Sequence, residues 1–413
     1  METQNNVTDE LLADVSIRIQ LPPSMYEQAI RRYETVADYL ERDDSPLKDN
    51  VSDIYTQGSI AIGATIRSVS KRGDDIYDVD LISELDSSLG DTPDDFLDIL
   101  YKAVKGKEGS RYYTNTVRQT RCVTIEYADM HIDITPMIRT STQHHMIERA
   151  GKISHANPDE LSGQKFVENN SFGLSKHINE RIPETTKFSK MYSERLMKFD
   201  RTEILLEKAD IQPAPDQQEI AEKSITVVAL QLIKRRMQIL WADKARQAFR
   251  KPPSVILSLL SAENALGSHS LLDETVHLCE TIASKFNSDS KVEVINPEYR
   301  EDILTDRWPE SHRISKDQRM LANDLYDLAR RLKVISEMSL SQKRAELGEL
   351  FGEELAKQAY DSFYKRNYMD TKQDSRNVIP KTGAIALAGA SVSAKSSIVK
   401  PKPTTSWGGI CKD

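Results

Sequence analysis

The sequence predicts an α+β protein with two lobes and a cleft between them. Between residues 50 and 140, short hydrophobic runs show the alternation of apolar and polar residues that is typical of half-buried strands. From about residue 197 to 370, apolar residues recur at helical spacing. These two patterns predict a mixed sheet with helices, followed by a helical lobe, and ligand sites commonly lie between such lobes.

Three segments follow from these patterns. Residues 1–195 should form the sheet-containing core, which begins with a long N-terminal helix, and residues 196–370 the helical lobe. After Asp374 the composition shifts to Ala, Ser, Gly, Lys, Pro and Thr. A segment of this kind buries too little apolar surface to offset its ordering entropy, so residues 371–413 are predicted to be a disordered tail.

Several elements can be placed in order along the chain. Pro22-Pro23-Ser24 is a plausible start for the first long helix, and an amphipathic segment lies within the core. Residues 141–195 are polar and are predicted to be irregular. The predicted helices are Met25–Glu41, Asp94–Val104, Gln217–Phe249, a helix that Ser254 caps, and helices near Leu271–Phe286, Lys316–Met338 and Gln342–Tyr364.

Composition limits the function classes. The chain has 413 residues, 38% of them hydrophobic and 29% charged, as in ordinary soluble globular proteins. It has no apolar run of roughly 20 residues and no basic, apolar start, so we expect a cytoplasmic protein without a membrane segment. A net charge of −8 weighs against broad electrostatic capture of nucleic acid.

Two aspartates in one hydrophobic run are the first candidate site residues. Asp78 and Asp80 lie within Ile76–Ile82, and residues two apart in a strand project from the same face, so their carboxylates converge. Asp133 lies in a second alternating run, Thr124–Ile134. Such carboxylates can hold Mg²⁺, which prefers hard oxygen ligands. An isolated Asp-x-Asp pair is more often a solvated strand or loop.

A glycine and a serine precede the aspartates. Gly58 would let the backbone approach a phosphate closely, and Ser59 at a helix opening would offer its hydroxyl and nearby N–H groups to an anion. An isolated Gly-Ser is usually a turn. The order Gly-Ser, Asp-x-Asp and third carboxylate, however, indicates nucleotidyl transfer, in which two divalent ions activate a hydroxyl and neutralise the leaving pyrophosphate.

These motifs resemble those of the polymerase-beta-like nucleotidyltransferase superfamily. More narrowly, they resemble the bacterial CD-NTases, the cyclic GMP-AMP synthase and DncV-like group that includes the SMODS family. The resemblance spans about residues 20–340, with one departure: the 18-residue interval between Ser59 and Asp78 exceeds the spacing of the most compact superfamily members. Within it, Lys71–Asp75 has the composition of an inserted loop. The matching segments are Ile54–Thr65, Tyr77–Leu81, His131–Pro136, Leu230–Arg236, Lys251–Leu257, Asn296-Pro297 and Asp306-Arg307-Trp308.

The resemblance implies catalytic and metal-binding roles for three residues. Asp78 and Asp80 would hold two Mg²⁺ ions, with Mn²⁺ as the alternative metal. Asp133 would hold the ion that activates the acceptor hydroxyl and would help to take its proton. The fold implied is a polymerase-beta-like core with a C-terminal helical domain.

It also implies a nucleotide-binding set. Gln57, Gly58 and Ser59 would grip the phosphates of the donor nucleotide. Lys234 would reach its triphosphate, although charged residues on a long helix usually form a solvated face. Ser254 would add a hydrogen bond from the next helix.

Substrates and partners follow from the same resemblance. The substrates would be nucleoside triphosphates, ATP together with GTP or another triphosphate, and no nucleic-acid template would be required. The product would be a cyclic di- or trinucleotide second messenger. It would activate a separate effector encoded in the same operon, with regulatory partners, in bacterial anti-phage defence of the CBASS type.

Two other functions remain open from the sequence. A linear nucleotidyltransferase acting on RNA or another acceptor would use the same carboxylates, but the acidic charge and the lack of an RNA-binding module weigh against it. An inactive homologue that senses nucleotides would not need all three aspartates. Arg121, which precedes the strand carrying Asp133, is a further candidate for reading a base edge.

Overall fold

The computed structural model describes residues 2–68, 76–139, 148–157, 160–207, 223–246, 248–373, 377–378 and 385–386. The charged segment Lys71–Asp75, predicted as an inserted loop, lies outside these residues. The predicted tail, residues 371–413, also lies largely outside them.

Helices dominate the described part of the chain. They are α1 Glu2–Ile19, α2 Pro23–Leu40, α3 Gly58–Ala61, α4 Pro93–Lys105, α5 Ser171–Arg181, α6 Thr186–Glu207, α7 Ile225–Trp241, α8 Ser254–Glu263, α9 Leu271–Phe286, α10 Ile314–Ile335, α11 Leu340–Phe351 and α12 Glu353–Gln373, with short 3₁₀ turns at Ser87–Leu89 and Lys244–Arg246.

The strands form one large sheet and two small pairs. They are β1 Val51–Gln57, β2 Tyr77–Leu85, β3 Thr116–Arg118, β4 Val123–Glu126, β5 Met130–Arg139, β6 Gly151–Asn157, β7 Glu160–Asn169, β8 Ile295–Asn296, β9 Tyr299–Ile303, β10 Asn377–Val378 and β11 Ile385–Ala386. The large sheet has the order β1-β2-β5-β4-β3, with β6 pairing with β5 and β7 with β6. Only β2 and β5 run parallel in it, so the predicted mixed sheet is confirmed.

The sheet buries one face against α2 and α4. Helix α4 begins at a capping box, in which the Thr92 side chain accepts from the N–H of Asp95 and the Asp95 side chain accepts from the N–H of Thr92. Its apolar residues Phe96 and Leu100 are buried in the same cluster as Val79 of β2. This packing leaves the opposite face of the sheet available to the helical lobe.

A second core joins the helical lobe to the region just after β1. Ile62 and Ile66 pack in the same cluster as Leu232 of α7 and Leu325 of α10. Helix α1, which the sequence patterns did not predict, packs against α12, α9 and α7 and so belongs to this core. The segment that follows the Gly-Ser motif is therefore fixed by the helical lobe as well as by the sheet.

Several predicted elements are confirmed. Helix α2 begins at Pro23 with Pro22 as its N-cap, and α9 spans the predicted Leu271–Phe286. The predicted helix Gln217–Phe249 is shorter, because α7 ends at Trp241, and residues 217–222 lie outside the described part. No helix of the described residues has the length and apolar composition needed to cross a bilayer.

Three predictions were wrong. Residues 141–195 are not irregular, because they contain β6, β7, α5 and the start of α6. The helix predicted over Gln342–Tyr364 is broken at Gly352, whose φ of 116° ends α11 before α12 begins. Ser254 does not cap α8, since Pro253 is the N-cap and Ser254 is the first helical residue.

Candidate active site

Strand register brings the three aspartates to one place. Because β2 and β5 pair in parallel, Asp80 lies opposite Asp133, and Asp78 lies opposite His131. The intervening Val79 is fully buried on the other face of the sheet. Asp78, Asp80 and Asp133 therefore face one cavity, as the spacing predicted.

A tight backbone turn lies against Asp80. Gln57, the last residue of β1, lies opposite Asp80, and Gly58 follows with φ of +61°. A Cβ added to Gly58 would be 2.8 Å from the Asp80 Oδ2, which is closer than real Cβ contacts. Glycine is therefore required both by the backbone conformation and by the closeness of the carboxylate.

Ser59 is held at the start of a single helical turn. Its hydroxyl accepts a hydrogen bond from Thr65 Oγ1 at 3.3 Å, and its carbonyl accepts from the N–H of Ala64 at 2.8 Å. These contacts fold residues 59–65 back on themselves beside β2. The Ser59 side chain consequently lines the same cavity as the aspartates.

The carboxylates carry more negative charge than their surroundings offset. Burial, together with the charges of Asp133 and Asp78, raises the pKa of Asp80 to about 7, and the charge of Lys234 offsets only part of this rise. Burial and Asp133 also raise the pKa of Asp78, whose Oδ1 lies 3.7 Å from His131 Nδ1. A cation at this position would be stabilised by all three groups.

The donor set fits a divalent ion of the magnesium type. In the part of the chain that the structure describes, no three His, Cys, Asp or Glu side chains form a closed metal-binding group. Magnesium does not need one, because it usually takes one or two carboxylates and completes its shell with waters and substrate phosphates. Asp78, Asp80 and Asp133, which repel one another without a cation, are the residues that could hold it.

The helical lobe contributes basic residues opposite the carboxylates. Lys234 of α7 lines the cavity, and its Nζ donates to the carbonyl of Ala64 at 2.8 Å. Burial lowers its pKa to about 8, partly offset by the charge of Asp80. Lys251, from the segment before α8, lines the same cavity, and burial lowers its pKa as well.

The two residues that follow Lys234 have structural contacts. Arg235 donates from Nε to the carbonyl of Phe351 at 3.0 Å, and Arg236 donates from Nη1 to the carbonyl of Glu349 at 3.1 Å. Both arginines are buried. Of the three consecutive basic residues, only Lys234 lines the cavity with the aspartates.

Two cavities meet at Asp80. The first, the carboxylate cavity, has a volume of about 260 Å³ and contains the aspartates, Lys234 and Lys251. The second, the arginine cavity, has a volume of about 450 Å³, contains Gln57 and Gly58, and extends to three arginines. Ser59, Asp80 and Ser254 line both cavities. The residues that line the arginine cavity include Gln57, Gly58, Ser59, Asp80, Arg121, Glu168, Arg250, Ser254, Asp302, Asp306 and Arg307.

Sequence reasoning missed several residues of this site. Thr124 donates from Oγ1 to Asp133 Oδ1 at 2.5 Å, and its position opposite Asp133 in the β4–β5 pair could have indicated it. Lys251 was not singled out, although a lysine directly before Pro-Pro and a helix start is a recognisable signal. Arg307 lies in the segment Asp306-Arg307-Trp308 that carries the family resemblance, but it was given no role there, and no local pattern marks Arg250. Packing of the helical lobe brings both to the cavity.

Comparisons with known proteins agree with this architecture. Residues 1–169 match the family described as the Second Messenger Oligonucleotide or Dinucleotide Synthetase domain, SMODS. The chain is 35% identical over 368 residues to the cyclic dinucleotide synthase CdnG of Bradyrhizobium diazoefficiens, covering 87% of this chain and 83% of that protein. It is 24% identical over 327 residues to the c-di-GMP synthase of Roseivirga ehrenbergii, covering 77% and 78% respectively.

A solved structure gives the same result at the level of the fold. The Bradyrhizobium diazoefficiens CD-NTase CdnG, determined in complex with GTP, superposes with a TM-score of 0.72 at 33% identity and covers 86% of this chain and 98% of that one. The predicted fold class is therefore confirmed. The chain belongs to the SMODS family of CD-NTases and is a nucleotidyltransferase.

Proposed function

We propose that this enzyme joins nucleoside triphosphates with release of pyrophosphate and closes a cyclic di- or trinucleotide second messenger. One observation carries the proposal: Asp80 and Asp133 lie opposite each other in parallel strands, with Asp78 beside them, in a cavity that also contains Ser59 and Lys234. Three carboxylates and a lysine at one cavity suit a triphosphate that arrives with divalent ions.

The substrates include GTP. The related CdnG was determined in complex with GTP, and a second relative is a c-di-GMP synthase, which supports a guanine nucleotide here. ATP is the other expected triphosphate. The arginine cavity, at about 450 Å³, lies within the usual size range of ligand cavities and is separate from the carboxylate cavity, so a second nucleotide has a place of its own.

The chemical step is a displacement at the donor's α-phosphorus. A hydroxyl oxygen of the acceptor ribose forms a bond to that phosphorus while the bond to the bridging oxygen of the β-phosphate breaks, and pyrophosphate leaves. We assign to Asp133 the uptake of the hydroxyl proton, because it lies opposite Asp80 in the carboxylate cavity and Thr124 donates to its Oδ1. A second displacement on the linear intermediate closes the ring.

The chain's other residues bind and orient the donor. Ser59 and the backbone at Gly58 hold phosphate oxygens next to Asp80, and Lys234 supplies a positive charge from the opposite wall. Ser254, which lines both cavities, adds a hydroxyl donor. Magnesium bound at Asp78, Asp80 and Asp133 would supply charge neutralisation for the triphosphate and activation of the hydroxyl.

Product analysis tests this function. We expect purified protein with Mg²⁺ and the four triphosphates to form a species that lacks terminal phosphates, resists phosphatase and has the mass of a cyclic oligonucleotide. Extension of an added RNA primer would favour a linear transferase instead, and unchanged triphosphates would favour an inactive sensor. Omitting Mg²⁺, or replacing it with Mn²⁺, tests the metal in the same assay.

The biological role rests on the family resemblance. We infer that the product activates a separate effector in defence against phage. Bacteria that carry the operon should survive phage challenge better than bacteria in which Asp78 and Asp80 are replaced by Asn. Equal survival of the two strains would show that the enzymatic activity does not contribute to defence against phage.

A further inference from the structure

Three arginines, Arg121, Arg250 and Arg307, line the arginine cavity. Its acidic residues, apart from Asp80, already have partners: Asp306 contacts Arg121, Asp302 accepts from Asn296 and from the backbone of Asn170, and Glu168 contacts Lys152 and the hydroxyl of Tyr299. In the part of the chain that the structure describes, none of these three carboxylates forms an ion pair with Arg250 or Arg307.

Arg250 and Arg307 have no such partners. Among the described residues, no carboxylate oxygen lies within 4.0 Å of either guanidinium. Burial lowers the pKa of Arg307, and the charges of Arg121 and Arg250 act in the same direction. The pKa of His155 is lowered to about 4 by burial and by the charges of Arg121 and Arg307. Several like charges thus meet where an anion would relieve their repulsion.

Arg121 differs from the other two arginines. Its Nη2 donates to Asp306 at 2.6 Å and its Nε donates to His155 Nδ1 at 3.0 Å. These two contacts hold the guanidinium in one orientation at the wall of the cavity. Arg250 and Arg307 are therefore the cations that remain available for a ligand.

The proposed reaction requires two triphosphates, and the carboxylate cavity provides charges for one of them. Lys234, Lys251 and the aspartate-bound ions would serve the donor. The acceptor brings a triphosphate of its own, with roughly four negative charges at neutral pH, into a cleft that already contains several carboxylates. Its phosphates need a separate set of cations.

The geometry of a nucleotide indicates where those cations must lie. The acceptor's attacking hydroxyl must face Asp80 and Asp133, where the two cavities meet. The 2′ and 3′ hydroxyls lie on the side of the ribose away from the 5′ carbon. The acceptor's 5′-triphosphate therefore points away from the aspartates, into the arginine cavity that Arg250 and Arg307 line.

We propose that Arg250 and Arg307 bind the 5′-triphosphate of the acceptor nucleotide, with Arg121 fixed beside them by Asp306 and His155. The inference rests on the proposed function, since it assigns a place to the second substrate of that reaction. Guanidinium groups suit the task because they bind phosphate oxygens through paired N–H donors.

An acceptor without phosphates tests the assignment. With GTP as donor, added guanosine competes with GTP as acceptor. The guanosine-initiated dinucleotide has no 5′-triphosphate and cannot cyclise, so mass spectrometry compares its amount with the sum of the triphosphorylated linear dinucleotide and the cyclic product that forms from it. We expect Arg250→Gln and Arg307→Gln each to raise the ratio of guanosine-initiated to GTP-initiated product roughly tenfold, because each removes a charge-assisted phosphate contact. The rate with guanosine itself should stay within about twofold.

Arg300→Gln is the matched control, since Arg300 is exposed on β9 and lines neither cavity. An unchanged acceptor ratio in folded Arg250 and Arg307 variants, or an equal change in the control, would overturn the assignment. A changed preference between GTP and ATP, with the ratio of guanosine-initiated to GTP-initiated product unchanged, would also overturn the assignment, because the arginines would then contact the base. Wild-type protein that forms no product would refute the proposed function, and this inference would fall with it.

Discussion

The two sets of charged residues in the carboxylate cavity are positioned by different means. Asp78, Asp80 and Asp133 lie on adjacent strands, where the hydrogen-bond ladder fixes their register. Lys234 and Lys251 come from α7 and from the segment before α8, and only the packing of the helical lobe brings them to the cavity. The carboxylates are a property of the sheet, whereas the lysines depend on how the two lobes fit together.

Burial shifts the pKa values of the carboxylates and of the lysines in opposite directions. The pKa of Asp80 is raised to about 7, and that of Lys234 is lowered to about 8. Each group offsets part of the other's shift, yet both still favour the uncharged form more than they would in water. A metal ion together with a triphosphate supplies both missing charges at once. The comparison therefore indicates a site that favours the metal–triphosphate complex over either component alone.

Removing two of the carboxylates should have the largest effect on activity, and it tests the contrast between the two sets most directly. We expect Asp78→Asn with Asp80→Asn to lower product formation by at least about a thousandfold, because the proposed metal ions would lose two of their three carboxylate ligands. The melting temperature should stay the same or rise, since Asp80 is a buried group repelled by Asp78 and Asp133. Product analysis and thermal unfolding check the two halves of the prediction.

Glu126→Gln is the control for that experiment. Glu126 is an exposed acid of β4 that lies opposite His131 and lines neither cavity. Its substitution should leave the rate nearly unchanged. Retained synthesis in a folded double Asp variant would remove the carboxylates from the mechanism.

The glycine turn offers a second, smaller perturbation of the carboxylate side. Gly58→Ala places a Cβ 2.8 Å from Asp80 Oδ2, so the carboxylate must move, and we expect activity to fall roughly tenfold to a hundredfold. Gly63→Ala is the matched control, because Gly63 also has a positive φ, +66°, but its added Cβ would meet only Lys223 Cε at 4.0 Å.

Both glycine variants should lose about 1 kcal/mol of stability from the strained backbone. Only Gly58→Ala should lose activity beyond what that destabilisation explains. Equal activity losses in the two variants would indicate backbone strain as the cause. They would contradict the prediction that the Cβ added at Gly58 lowers activity by displacing the Asp80 carboxylate.

The difference between the two sets also explains how much the sequence could predict. The i, i+2 spacing of Asp78 and Asp80 is a local pattern. In β5, His131 and Asp133 alternate with apolar residues in the same way, so the carboxylate cluster was predictable. Lys234 required the family resemblance, because helical spacing alone did not separate it from Arg235. The clustering of Arg250 and Arg307 depends on contacts between distant elements that no local pattern records.

The errors in the fold have a similar origin. Strand β6, Gly151–Asn157, is rich in polar residues and is a strand because it pairs with the end of β5. Helix α1 is buried on all sides over Leu11–Ile19, so its sequence lacks the amphipathic period by which surface helices are recognised. In both cases tertiary contacts, rather than local preference, determine the element.

The lysine set can be tested by comparing its two members. Lys234→Ala should weaken apparent triphosphate affinity about tenfold or more, because a half-buried charge that faces the phosphates is lost. Lys251→Ala should have a smaller effect, since Lys251 is more exposed than Lys234 and solvent screens more of its charge. Measured KM values for the donor check both variants. An unchanged KM for Lys234→Ala would show that Lys234 does not contribute to triphosphate binding.

The protonation of Lys234 gives the smallest expected effect. The charged groups around it are Asp78 and Asp80 of β2, Lys251 before α8 and Lys223 before α7. With a pKa lowered to about 8, Lys234 is charged below that pH and loses its proton as the pH rises through it. A bound triphosphate favours the charged form, so binding takes up a proton and its affinity falls with rising pH.

Between pH 7.5 and 9 we therefore expect apparent triphosphate affinity to weaken by up to about tenfold. Lys234→Arg keeps a charge throughout this range, because the guanidinium pKa lies above 12. Its triphosphate affinity should consequently change much less with pH. Any pH dependence that arises from other titrating groups should be the same in the wild type and in Lys234→Arg. Parallel pH profiles in wild type and Lys234→Arg would mean that Lys234 stays charged throughout, and that Asp80 offsets the burial of this lysine more fully than its lowered pKa implies.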